Sequence, residues 1–78
     1  MNYATIEQAI KYFKRHNIPE HLYVSRGELG AGECFGVEEK DSSWYTYYSE
    51  HGQKSDIRKF PNQAEAVTHW VASVESHA

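Results

Sequence analysis

The side chains able to do chemistry in this sequence are few, and their spacing is wrong for most of it. Five histidines are present, at His16, His21, His51, His69 and His77. His16 and His21 flank a proline turn, His51 sits in a turn, His69 rides on a helical segment and His77 lies in the tail. No two residues have the HExxH or Cys-Cys spacing by which a chain usually offers ligands to zinc. Cys34 is the one cysteine, so no internal disulfide can form, and neither of the usual activators of a thiolate is legible beside it. Glu38 and Glu39 are adjacent, which in a strand sends them to opposite faces and prevents them from acting as a carboxylate pair. The glycines of "GELGAG", residues 27–32, lack both the strand-to-helix setting and the Lys-Ser/Thr of a phosphate loop, and read as turn residues. The expectation is a non-enzymatic domain with no cofactor and no metal.

What the chain has in quantity is rings. The stretch "SSWYTYYSEHG", residues 42–52, holds four large aromatic side chains in five consecutive positions. Alternation along a strand would place Trp44 and Tyr48 on one face and Tyr45 and Tyr47 on the other. One set can build a core. The other has to be accounted for by the elements around it.

Those elements must come from 78 residues, enough for one domain and a single small core. The composition, 40% hydrophobic and 14% aromatic, is that of a folded globular chain. The first residues lack the basic segment and apolar run of a secretory signal, and no window approaches the roughly 20 apolar residues that span a bilayer. The expected location is therefore the cytoplasm, with no membrane partner.

The chain opens with a helix over about 4–17: Ile6, Ala9, Ile10 and Phe13 fall at i, i+3, i+4 and i+7, Thr5 and Gln8 resemble a capping box, and Ile18-Pro19 stops the helix. Strands follow at about 21–26, with Leu22 and Val24 on one face, then 33–40, 43–50 and a poorly patterned edge strand at 56–60. A second helix over about 62–76 is capped by Asn62 and carries the stripe Val67, Trp70, Val71 and Val74. This order predicts a two-layer α+β domain: an antiparallel sheet of three to four strands with both helices on one face. If Asp41-Ser42 is the loop, Glu39 pairs with Trp44, Val37 with Thr46 and Phe35 with Tyr48 on the covered face, and Glu38 with Tyr45 and Gly36 with Tyr47 on the other. A three-residue loop would instead pair Val37 with Tyr47 and reverse the faces.

Nothing else in the sequence is available to cover the second face. Tyr45 and Tyr47 are expected to meet solvent there, with Glu33 or Cys34, Gly36 and Glu38. Such rings serve either as cross-strand packing or as an interface, where tyrosine is enriched. Charge bears on the choice. The whole chain carries −3, yet residues 28–41 hold five acidic residues against Lys40 alone, a local charge of −4. An acidic, tyrosine-bearing surface suits a basic protein partner and argues against direct nucleic-acid binding. A double-stranded-RNA-binding domain shares the order of elements, but the start of the last helix, "NQAEAVTHW", is neutral to acidic where such a domain needs cations.

Residues 33–71, from Gly36 between apolar neighbours through Trp44 and its tyrosines, the "SEHG" turn and Phe60 to a final helix bearing Trp70, resemble the small immunity proteins of bacterial polymorphic-toxin and contact-dependent growth inhibition systems. The resemblance implies a cytoplasmic inhibitor that covers the active site or substrate surface of a cognate toxin's C-terminal domain. Such toxins are often nucleases, whose positive groove an acidic protein can occupy. The contacts expected on this basis are Glu33, Glu38, Glu39, Asp41, Tyr45, Tyr47 and Glu50. The alternative is a regulatory or scaffold module that binds a host protein or self-associates, as a homodimer, through its open sheet.

Overall fold

Two short polar side chains set where the helices begin. The computed structural model of the protein describes residues 4–29 and 32–77. In it Thr5 accepts a hydrogen bond from the backbone N–H of Gln8 (3.2 Å), starting α1 (Ile6–Arg15), and Asn62 accepts from that of Glu65 (3.0 Å), starting α2 (Gln63–Glu75). Each satisfies an otherwise orphaned helix donor. Helix α1 stops at Asn17, whose φ of 56° is left-handed. The N–H of Ile18 bonds to Phe13 O (3.0 Å) and that of Asn17 to Lys14 O (3.3 Å). These are the paired bonds of a Schellman ending.

Between the helices lie a 3-10 turn at Glu20–Leu22 and four strands: β1 (Tyr23–Ser25), β2 (Cys34–Lys40), β3 (Ser43–Glu50) and β4 (Gln53–Phe60). They form one sheet in the order β1-β2-β3-β4. The α+β layout expected from the sequence is thus observed. The β2–β3 register is the one that a two-residue loop dictates, with Phe35 opposite Tyr48, Gly36 opposite Tyr47, Val37 opposite Thr46 and Glu39 opposite Trp44. Asp41 has φ 52° and Ser42 φ 64°, and the pair His51 (φ 53°) and Gly52 (φ 76°) repeats this between β3 and β4. Positive φ at both central residues is what a type I′ turn requires.

Two strands differ from expectation. β1 runs parallel to β2, pairing Tyr23 with Phe35 and Ser25 with Val37, so it is Tyr23 that faces the helices. Leu22 reaches the core from the 3-10 turn, which breaks the alternation that linked it to Val24. β4 begins at Gln53, not 56. Its pairing shifts by one residue where Asp56 and Ile57 together oppose Tyr47, a β-bulge with Asp56 at φ 49°. The shift changes which residues face outward, Lys54 before it and Lys59 after, which is why no regular pattern is readable there.

The core forms where both helices meet the sheet: Ile6, Ala9 and Phe13 from α1, Val37 from β2, and Ala66, Val67, Trp70, Val71 and Val74 from α2. Trp70 organises it. Its ring meets Phe13 edge-on at 5.3 Å between centroids, and its indole N–H donates to Phe35 O at 2.8 Å, tying α2 to β2. At the rim of the same layer His69 lies against Phe60, with ring centroids 5.3 Å apart. Burial and then the Arg58 guanidinium lower its pKa, partly offset by Asp56. The unfolded state therefore binds a proton more readily at this position, and stability is expected to fall as pH drops below the ordinary imidazole value of 6.5. Urea midpoints at pH 7.5 and pH 5 should differ less in His69→Gln than in the parent; an equal difference would remove His69 as the cause.

Candidate functional site

The second sheet face is closed to solvent at Tyr47. Its ring lies on the outer face over Gly36, as the register predicts, yet only 2% of the residue is exposed. A parallel β1–β2 pair needs a crossover, and its first residues, Gly27 and Glu28, pass over this face. Gly27 lies over Glu38, and Glu28 offers its carbonyl to the Tyr47 hydroxyl at 2.7 Å. The ammonium of Lys54 sits 4.5 Å from the centre of the Tyr47 ring and 2.8 Å from Glu38 Oε2. Burial, followed by the nearby Glu38 carboxylate, pushes the phenol far above its ordinary pKa. Tyr47 is therefore an anchor beneath the crossover, not the solvent-facing contact expected from alternation. The segment that begins at Gly27 supplies the missing cover; of its glycine turn, Gly30 and Ala31 lie outside the described residues. Cys34 and Ser49, a pair on the same face, are fully buried too.

The acidic residues divide into two groups. Glu33 and Glu50 lie near Tyr48, whose hydroxyl donates to Glu50 Oε2 at 3.1 Å; loss of hydration, then these two carboxylates, push its pKa up to about 12. Asp41 is beyond the other end of β3, roughly 25 Å from Glu50 at strand spacing. Glu38 is neutralised by Lys54 and half-buried. Glu39 points to the helix side beside Trp44. The single acidic sheet surface expected from the sequence is not formed.

What the structure does bring together is the turn end of the β2–β3 hairpin. Tyr45 is half-buried on the outer face between Glu38 and Lys59, Trp44 is half-buried on the helix side, and Glu39 and Asp41 are exposed beside them. Among the described residues, neither Glu39 nor Asp41 has a cation within ion-pair distance. Its face alone predicts Trp44 as a core residue. Its place one residue beyond the turn-flanking pair Lys40–Ser43 is the available sign that it sits at the sheet's end, where the helices only begin. There it borders an open groove of about 370 Å³ lined by Ile6, Glu7, Arg26, Glu39, Trp44 and Gln63.

Elsewhere, Leu29 in the crossover and Ile57 at the bulge are the large hydrophobics left exposed among the described residues, at 48% and 58%. A shallow concavity of about 450 Å³ runs along α2 beside Phe60, Ala64, Thr68 and Ala72. Among the described residues no group of three or more His, Cys, Asp or Glu is placed to hold a metal ion, and no helix is long and apolar enough to cross a membrane. Comparison with family models, curated proteins and solved structures finds no match for the chain.

Proposed function

We propose that this chain is an immunity protein that binds and neutralises a cognate bacterial toxin domain, a basic nuclease, and that it does so without catalysing a reaction. The resemblance of residues 33–71 supplies the class of partner. The observation that carries the reading is the hairpin end, where rings on both faces of the sheet flank two carboxylates, Glu39 and Asp41, without a cation partner among the described residues. Aromatic anchors beside unneutralised charge are what a partner with a positive substrate groove would engage.

The test is co-purification with a candidate toxin domain, followed by a nuclease assay with and without the protein. Reversing both Glu39 and Asp41 to lysine is expected to slow association about tenfold or more at low salt, the scale of electrostatic steering. Tyr45→Ala should raise the dissociation rate by about tenfold, as loss of a modest hot spot does. Glu38 and Tyr47 are unsuitable probes, since Glu38 is already paired with Lys54 and Tyr47 holds the crossover through Glu28 O. Inhibition unchanged in all these variants would remove the hairpin end as the docking site. The exposed Leu29 and Ile57 favour a second reading, a scaffold module that binds a host protein through the outer face. In that case the candidate toxin domain would go unbound.

A further inference from the structure

The groove beside Trp44 already contains one guanidinium. Arg26 Nη2 lies 2.9 Å from Glu7 Oε2. Next to β1 in the strand order, Glu39 on β2 has no such partner among the described residues and stands directly opposite the half-buried Trp44 on β3, and both line the groove. The positive ends of α1 and α2 are nearby, but the side chains of Thr5 and Asn62 occupy an N–H at each, and Glu7 lies in the first turn of α1. We infer that the groove receives an arginine side chain of a protein partner, its guanidinium laid on the Trp44 ring and paired with Glu39. An aromatic face and a carboxylate together match a planar, weakly hydrated guanidinium better than a compact ammonium. A bidentate pair with Glu39 would repeat, within the same groove, the guanidinium–carboxylate pairing of Arg26 with Glu7. This rests on the hairpin end being the docking surface, and it specifies which chemistry that surface selects.

The probe is N-acetyl-arginine amide, titrated at low ionic strength into the full-length protein and followed by proton–nitrogen correlation spectra. The Trp44 indole and Glu39 amide resonances should move together and saturate. The Trp70 indole, bonded to Phe35 O, should stay in place. Glu39→Gln should weaken binding about threefold, the scale of a partly exposed ion pair, with Trp70 unshifted as evidence of an intact fold. Any of three results overturns the assignment: a stationary Trp44, equal affinity in Glu39→Gln, or equally tight binding of N-acetyl-lysine amide. Movement of the same resonances by N-acetyl-glutamate amide would give the groove to an anion held by Arg26 and overturn it as well. The probe is independent of any toxin. Saturable binding of arginine without toxin capture sinks the immunity reading alone, whereas toxin inhibition with a silent titration sinks the groove alone.

Discussion

Trp70→Ala is expected to leave the chain mostly unfolded at room temperature. Trp70 is fully buried, meets the rings of Phe13 and Tyr23, and donates its indole N–H to Phe35 O. Truncating a buried tryptophan costs about 3–5 kcal/mol through lost transfer energy and the cavity left behind. A single core of this size stabilises a domain by roughly the same amount. The loss therefore consumes nearly all of the stability, and far-UV circular dichroism should show a collapsed signal without a cooperative urea transition. Trp70→Phe separates packing from hydrogen bonding. It keeps an aromatic ring but leaves the Phe35 carbonyl without its donor, a loss of about 1–3 kcal/mol, so that protein should fold with a lower midpoint. A cooperative transition near the parental midpoint in Trp70→Ala would mean that α2 is not held to the sheet through this residue.

The second large effect is expected at Gly36. A methyl group built there falls well inside van der Waals contact of the Tyr47 ring, so Gly36→Ala requires the ring to leave. Its departure breaks the hydroxyl bond to Glu28 O and uncovers the ring from Lys54, loosening the crossover over the outer face. Overpacking of this kind costs about 1–3 kcal/mol, and the upper part of that range applies because a ring and its hydrogen bond are displaced together. The assignment is checked by a double-mutant cycle. With Tyr47→Ala already in place the alanine at 36 meets no ring, and removing a strand glycine should then be neutral or favourable by about 0.5–1 kcal/mol. Coupling of about 2 kcal/mol between the two positions is expected from urea midpoints. Additive effects would show that the ring does not depend on the glycine beneath it.

The two experiments also separate what holds each side of the sheet. Trp70 belongs to the helix-covered side, where pattern in the sequence is strongest, and its burial follows from the stripe Val67, Trp70, Val71, Val74. Gly36 and Tyr47 belong to the other side. There the opposition of the two residues was one of the two registers that the sequence left open, and it is the one that a two-residue loop at Asp41-Ser42 gives. The function of that opposition was not legible, because it depends on a segment distant in sequence.

The candidate site shows the same division. That Glu38 and Tyr45 share a face, and that Asp41 sits in the turn beside them, follows from alternation and loop length. That Glu38 is neutralised does not, since Lys54 is placed opposite Ser49, and its long side chain must reach along the outer face over the Tyr47 ring to meet a carboxylate two strands away. Nor does the exposure of Trp44, which depends on where α1 and α2 start relative to the end of the hairpin.

By itself the sequence determined the helices, their N-caps and which rings enter the core from the helices, and it narrowed the β2–β3 register to two alternatives between which the structure chose. All are set by interactions over a few residues or by a strict period of two or 3.6, so local chemistry suffices. Only the tertiary structure decided that β1 joins in parallel, that its crossover roofs Tyr47, and that the carboxylates part into two groups. Each of these depends on the path of a connecting segment, and a connection has no periodicity: its course is fixed by what it can cover and bond to once the sheet exists.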